Sequence, residues 1–282
     1  MQTTPDDAQQ SNLSIAECLQ QSSLDKLETR ILLMHVTGYT RIQLITRSDT
    51  LLSSEQVHAV QTLIQRRLNG EPVAYLTGER EFFGLSFHTT PDVLIPRADT
   101  ELLVELALQY APENSTLLDM GTGSGAIAIA LAHSRPNLRI TAVDISINAL
   151  QIAEGNAQQH QTERRIRFLQ SNWYSALDDT LFHTIVSNPP YIVSNDPHLS
   201  QGDLRFEPIN ALTDHADGLT AYRHLIANAR QHLMPGGYLL MEHGYDQAAA
   251  VRQLLIQADF LEVQSWRDLA GIERVSGARL PY

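Results

Sequence analysis

From Ser115 onward the chain alternates short apolar runs with longer helix-spaced ones, and that alternation narrows its fold more than any other feature. TLLDM (116–120), RITAVD (139–144), IRFLQ (166–170) and HTIVSN (183–188) have the length and apolarity of buried strands. Between them AIAIALAH and ISINALQIAEGNAQQH carry the 3.6-residue rhythm of helices. Leu219–Leu233 and residues 246–258 read as further helices. YLLMEHG reads as a strand entered from the turn Pro235-Gly236-Gly237, and FLEVQSW and ERVSGARL as two last strands. Strands alternating with helices imply an α/β domain, a mostly parallel sheet with helices on both faces. Ligands of such sheets sit at the carboxyl ends of the strands, near the point where strand order reverses.

The first part of the chain has a different rhythm. Ser14 with Glu17 and Ser53 with Gln56 are spaced as capping boxes, each ahead of an apolar run. Val57, Val60, Leu63, Ile64 and Leu68 recur at helical spacing, Gly70 supplies a stop, and Leu24–Val36 gives another helix-spaced stretch. Residues 13–72 therefore read as a small helical domain, preceded by a polar, flexible tail at 1–12. Residues 73–97, with their aromatics and internal glycines, read as a hairpin linker. Asp99 or Thr100 would cap a helix running to about Tyr110, which opens the α/β domain of residues 98–282.

Bulk properties exclude some classes. Cys18 is the single cysteine, so no disulfide can form within the chain, which fits a reducing cytoplasm. The first residues lack the basic and apolar regions of a signal peptide, and no apolar run approaches a membrane span. A formal charge of −12 disfavours broad nucleic-acid binding. No H-E-x-x-H or paired Cys/His spacing occurs, so no metal is expected.

Two motifs carry chemistry. In Asp119-Met120-Gly121-Thr122-Gly123-Ser124-Gly125-Ala126 the first strand turns into its helix through glycines that let a ligand approach the backbone. Asp144 ends the next strand about 20 residues further on, where an acid can accept from both hydroxyls of a ribose. Gly121, Gly123 and Ala126 also satisfy G-x-G-x-x-A, so the loop alone permits NAD(P) or S-adenosylmethionine. Ser124 is no nucleophile elbow, because Thr122 and Ala126 stand where that motif needs glycine. Asp119 suits the ammonium of a methionine better than a pyrophosphate, which like charge would repel; capping the following loop is its other reading.

The second motif is Asn188-Pro189-Pro190-Tyr191, at the end of the fourth strand of this series. The prolines stop the strand, so the Pro189 carbonyl is not lost to a ladder. That carbonyl and the Asn188 side-chain oxygen are two acceptors on one rigid turn, able to hold both hydrogens of a substrate NH2 group. Tyr191 can pack on the flat group that carries it. Holding those hydrogens out of the amide plane localises a lone pair that resonance otherwise delocalises.

Together, the G-T-G-S-G loop, Asp144, S-N-W-Y and N-P-P-Y resemble the class I S-adenosylmethionine-dependent methyltransferases that act on nitrogen. L-T-G-x-R-E-F-F-G near Leu76–Gly84, L-I-P-R-A-D-T-E at Leu94–Glu101 and G-D-L-R-F-E-P at Gly202–Pro208 narrow the resemblance to the release factor N5-glutamine methyltransferases, the PrmC/HemK family. The resemblance runs from about residue 13 to the end. It implies a Rossmann-like methyltransferase domain and transfer of methyl to the glutamine side-chain amide in the Gly-Gly-Gln loop of release factors one and two. It further implies that Gly121 to Gly125 line the methionine part of the donor. Asp144 would hold its ribose, Asn172 and Trp173 flank its adenine, Asn188 also border the donor, and Asn188 to Tyr191 grip the glutamine amide. The family usually has Asp where this chain has Asn172, and Pro where it has Ala98.

Other readings compete with this one. An adenine-N6 methyltransferase uses a near-identical grip but must also extract a base and hold a nucleic-acid backbone. The basic groups Arg164-Arg165-Arg167 and Arg66-Arg67 read instead as solvated faces. An NAD(P)-dependent oxidoreductase would need a hydride-transfer acid or base, and none is evident. A noncatalytic adenosine-binding module would have no use for an intact N-P-P-Y. His243 could face the pocket; Glu207 could shape the substrate channel or pair with Arg205 or Arg97. A monomer is expected, with the helical domain docking the release factor body.

Overall fold

The computed structural model describes residues 13–282, so the expected tail at 1–12 lies outside the described residues. The chain divides after Gly78 into two compact units. The first is helical: α1 (Ile15–Gln21), α2 (Lys26–Thr37), α3 (Arg41–Thr46), α4 (Ser54–Leu68) and α5 (Val73–Thr77). Both expected capping boxes form, at Ser14–Glu17 and Ser53–Gln56, and Thr40–Gln43 adds a third at the start of α3. α2 ends on Gly38, whose φ of 68° is the left-handed conformation that closes a helix cheaply only with glycine. Ile15, Cys18, Leu33, Leu44, Leu52 and Val60 form its apolar centre. Residues 73–77, read from sequence as the start of the hairpin linker, are helical: Pro72 sets the first turn and Gly78, at φ 74°, ends it.

The second unit, Glu79–Tyr282, opens with an antiparallel hairpin of β1 (Glu79–Phe82) and β2 (Leu85–His88). After it come α6 (Glu101–Tyr110), β3 (Thr116–Met120), α7 (Ala126–Ser134), β4 (Arg139–Asp144), α8 (Ile147–Gln159), β5 (Ile166–Gln170) and β6 (Phe182–Ser187). The short α9 (Ile209–Leu212), α10 (Thr220–Ala229), β7 (Leu233–Glu242), α11 (Ala248–Gln257), β8 (Leu261–Arg267) and β9 (Glu273–Arg279) complete it. The sheet has seven strands in the order β5-β4-β3-β6-β7-β9-β8, with β9 antiparallel to both neighbours. Helices cover both faces: α6, α7 and part of α8 pack into one core cluster, α10 and α11 into the other. This is the α/β fold expected, a mostly parallel sheet with helices on both faces.

Two local expectations need correction. β7 begins at Leu233, before Pro235, and α10 stops at Ala229. Leu233 pairs with Phe182, and the register shift between Phe182 and Thr184 absorbs the Pro-Gly-Gly step as an irregularity in the strand. At the start of α6, neither Asp99 nor Thr100 caps the helix; a single 3-10 turn at Ala98–Thr100 leads into it, and both side chains turn elsewhere.

Candidate active site

Strand order runs outward from β3 in one direction through β4 and β5 and in the other through β6 and β7. The switch point lies between β3 and β6. Val143, Met120, Ser187 and Met241 form one paired row across β4, β3, β6 and β7. One residue further along each chain stand Asp144, Gly121, Asn188 and Glu242, side by side at the carboxyl edge. Register thus gathers the expected donor loop and the N-P-P-Y turn at one crevice.

The glycine loop leaves β3 with the Gly121 and Thr122 amides both donating to the Val143 carbonyl, at 2.9 Å each. Gly121, Gly123 and Gly125 all have positive φ, 75°, 56° and 82°, which strains any residue with a side chain. They differ in surroundings. A Cβ on Gly121 or Gly123 would meet no atom within 4 Å, whereas on Gly125 it would lie 2.8 Å from Ile129 Cδ1 and 3.1 Å from Ala153 Cβ. The first two glycines edge open space that a ligand can enter; the third lets α7 pack against α8.

Asp119 lies beneath the loop with 0% of its surface exposed. Its Oδ2 accepts from the Thr122 hydroxyl at 2.6 Å, while Oδ1 is buried with no hydrogen-bond partner. Burial, reinforced by the nearby Asp144 charge and opposed by the Thr122 bond, pushes its pKa up to about 7. Asp144 accepts from the Gly123 amide on Oδ2 and the Ser146 amide on Oδ1, 2.9 Å each, and burial raises its pKa as well. A carboxylate oxygen has a second lone pair, so both can still accept from a ligand. The Ser171 amide donates to the Asp144 carbonyl at 2.9 Å, which brings the turn after β5 beside this acid. In that turn Asn172 is exposed, and Trp173 is half-buried at φ 53°. The Ser171 hydroxyl donates to the Trp173 carbonyl at 2.6 Å and accepts from the Ala176 amide, holding the Trp173 backbone in a conformation bulky residues rarely adopt.

At the N-P-P-Y turn, Asn188 Nδ2 donates to Thr100 Oγ1 at 3.2 Å. Its Oδ1 and the Pro189 carbonyl accept no hydrogen bond among the described residues. Beyond the turn the Tyr191 carbonyl accepts from Gln247 Nε2 at 2.9 Å. Gly218 approaches so closely that a Cβ there would lie 2.5 Å from that carbonyl. Asp214 organises this neighbouring loop by accepting from the Ala216, Gly218 and Thr220 amides. Burial, aided by the Glu242 charge, raises the Tyr191 phenol well above its ordinary range.

Glu242 is not singled out by the sequence reading, although its neighbour His243 is. The carboxyl is 2% exposed, its Oε2 has no hydrogen-bond partner, and burial pushes its pKa up to about 7. A lone acid in the apolar run YLLME is the available signal. His243 itself is a satisfied core residue, bonded to Ser276 Oγ at 2.8 Å and to the Gly244 carbonyl at 2.9 Å. Glu207 pairs with Arg97 and accepts from the Ile95 amide at 3.0 Å. Arg164, Arg165 and Arg167 stand at the amino ends of the strands, the pole away from these loops. Among the described residues no group of three or more His, Cys, Asp or Glu gathers as a metal site would.

Known proteins are similar to this chain. Residues 96–202 match the methyltransferase small domain, and residues 14–78 match the PrmC N-terminal domain. A release factor glutamine methyltransferase of Burkholderia pseudomallei is 55% identical, covering 94% of this chain and 96% of that protein. The one from Bordetella pertussis is 50% identical, covering 94% and 99%. The chain belongs to the release factor glutamine methyltransferase family. A solved methyltransferase from Pyrococcus furiosus, 18% identical, superposes with a TM-score of 0.56 over 77% of this chain and 98% of that one, which shows the shared fold. The chain is therefore a methyltransferase, a family assignment that implies S-adenosylmethionine as methyl donor. Its loop suits that donor: two glycines edge open space, and an orphaned buried carboxylate oxygen lies beneath them.

Proposed function

We propose that this enzyme methylates the side-chain amide nitrogen of the glutamine in the Gly-Gly-Gln loop of release factors one and two, giving N5-methylglutamine and S-adenosylhomocysteine. The observation that carries the reading is the pair of unengaged acceptors, Asn188 Oδ1 and the Pro189 carbonyl, on one turn at the switch point. Two acceptors fixed in this way match the two hydrogens of a primary amide.

In this reading Gly121, Thr122, Gly123, Ser124 and Gly125 present backbone to the donor's methionine part, and Asp119 receives its ammonium. Asp144 accepts from the ribose, and Asn172 and Trp173 flank the adenine. Asn172 accepts from the adenine amino group through its carbonyl, without the charge of the Asp usual in the family. When bound, S-adenosylmethionine supplies an electrophilic methyl group. Asn188 and Pro189 hold the amide hydrogens so that the nitrogen lone pair points at that methyl. Pro190 stiffens the turn, and Tyr191 packs on the plane of the amide. The new N–C bond forms as the methyl leaves sulfur, and the surplus proton passes to solvent, because a methylated amide nitrogen bearing an extra proton is very acidic. Alignment and exclusion of water, rather than a strong base, supply the acceleration.

The release factor is the partner, met in the cytoplasm by a monomer that binds no nucleic acid directly. In the same reading a helical substrate-docking domain begins at residue 13 and is followed by a hairpin linker and a methyltransferase domain that runs to 282. Among the described residues no helix is long and apolar enough to cross a membrane. Asn188→Ala tests the grip: kcat for release factor falls about a hundredfold or more while donor Kd stays within about twofold. Collapse of donor binding with turnover preserved at saturation would remove Asn188 from substrate recognition.

A further inference from the structure

An asparagine amide has a donor end and an acceptor end of nearly equal size, so a grip on a substrate NH2 works only if the acceptor end faces outward. We propose that Glu242 is the residue that fixes this orientation, by offering the Asn188 amide only acceptors on its inner side. The inference rests on the grip described above and deepens it.

The strands bring the two residues together. Ser187 pairs with Met241, so Asn188 and Glu242 leave β6 and β7 next to one another at the carboxyl edge. Thr100 and Asn188 bring hydrogen-bonding groups up to the Glu242 carboxylate, and both favour its charged form. An ionised carboxylate accepts and cannot donate. Thr100 can donate its one hydroxyl proton toward Glu242, which leaves its oxygen lone pairs for Asn188 Nδ2, the contact seen at 3.2 Å. Thr100 thus accepts from Nδ2, and an ionised Glu242 beside it can only accept. Turning the amide over would set its carbonyl oxygen against a carboxylate and a hydroxyl lone pair, a buried like-polarity contact that low dielectric makes costly. Oδ1 is therefore directed away from Glu242, toward the substrate.

The remaining groups around Glu242 are accounted for. Asp99 and Arg274 lie near enough to act on its charge in opposite senses, and they pair with each other at 3.3 Å. The Tyr222 hydroxyl donates to the Glu242 backbone carbonyl at 2.9 Å, leaving the carboxylate untouched. Tyr191, a phenol held neutral by burial, faces the same charge. None of these satisfies Oε2, which remains without a partner. A buried carboxylate kept at such a place without full satisfaction is explained by the acceptor it provides.

The test uses the full-length enzyme, release factor and saturating donor. Glu242→Gln preserves shape but adds an NH2 that can donate to Asn188 Oδ1 and draw the acceptor inward. The expected result is a fall in kcat of about ten- to a hundredfold, with donor Kd and thermal midpoint held. Protonation of Glu242 has the same effect in the native enzyme, so wild-type kcat declines below about pH 7, and the Glu242→Gln variant loses that limb. A crossed pair adds a readout that structural support alone would not move. Asn188→Asp sets two carboxylates together and is inactive. Adding Glu242→Gln lets the introduced amide donate inward while the outer Asp oxygen accepts, restoring at least about tenfold in kcat. Wild-type kcat in Glu242→Gln with an unchanged pH profile, or no recovery in the crossed pair, overturns the inference. Asn188→Ala measured alongside separates the two levels: its inactivity beside an unaffected Glu242→Gln leaves the grip standing and removes Glu242 from it.

Discussion

Replacing Gly125 with alanine asks whether the three loop glycines serve one purpose or two. At Gly125 φ is 82°, and an added methyl would lie 2.8 Å from Ile129 Cδ1, 3.1 Å from Ala153 Cβ and 3.3 Å from Ala153 Cα. Ile129 can rotate its terminal methyl away; the Ala153 backbone cannot move without shifting α8. Left-handed backbone costs about 1–2 kcal/mol for a residue with a Cβ, and overpacking a close helix pair adds about 1–3 kcal/mol. The expected loss is about 2–5 kcal/mol of stability. Gly123→Ala carries only the backbone part, about 1–2 kcal/mol, because its methyl meets nothing within 4 Å. That methyl instead enters the space assigned to the donor, so donor affinity falls about tenfold or more. Urea unfolding and calorimetric titration with S-adenosylmethionine, run on both variants, read the two effects. Normal donor binding by Gly123→Ala, or unfolding of Gly125→Ala at the wild-type urea concentration, would refute this division of roles.

The same geometry sets three further outcomes. Asp119 has its folded pKa raised from 3.8 to about 7, so between those values the folded protein holds more protons than the unfolded one, and stability falls as pH rises across that window. Asp119→Asn flattens this dependence in urea midpoints from pH 5 to 8; it also removes the tightening of donor binding that deprotonation gives the wild type, and an unchanged slope in both would show that Asp119 does not titrate there. Arg97→Ala strands the buried Glu207 carboxylate and destabilises by about 1–3 kcal/mol, a figure reduced because the arginine is partly exposed; adding Glu207→Gln recovers part of it in the same unfolding assay. Deleting residues 1–78 raises KM for whole release factor at least about tenfold more than for a short Gly-Gly-Gln peptide, and equal losses on the two substrates would end the docking proposal.

The features legible in the sequence are those whose physics is local. The glycine loop needs positive φ at three nearby positions, the capping boxes lie within one helical turn, and the strand-stopping prolines follow their Asn directly. Helix α3 escapes a reading by pattern because six residues carry too little periodicity, despite its Thr40–Gln43 box. The start of β7 escapes it because Pro235 and the glycines read as a turn, and only pairing with Phe182 makes the segment a strand. In the site, Asp119, Asp144 and Asn188 stand out beside their motifs. Glu242 and Thr100 do not, because Thr100 Oγ1 meets Asn188 across 88 residues, and Glu242 joins them only through the β6–β7 register. Gln247 is hidden for the same reason, reaching the Tyr191 carbonyl across 56 residues.

The measurement that tests the account most directly is methyl transfer from labelled S-adenosylmethionine to three acceptors in parallel. These are release factor, the same factor with the glutamine of its Gly-Gly-Gln loop changed to alanine, and adenine-containing DNA. The two acceptors on the Asn188–Pro189 turn, in a chain carrying a charge of −12, predict label on the unaltered factor alone. Label on the DNA, or equal label on the factor that lacks the glutamine, would contradict the reading of that turn as a grip for a glutamine amide.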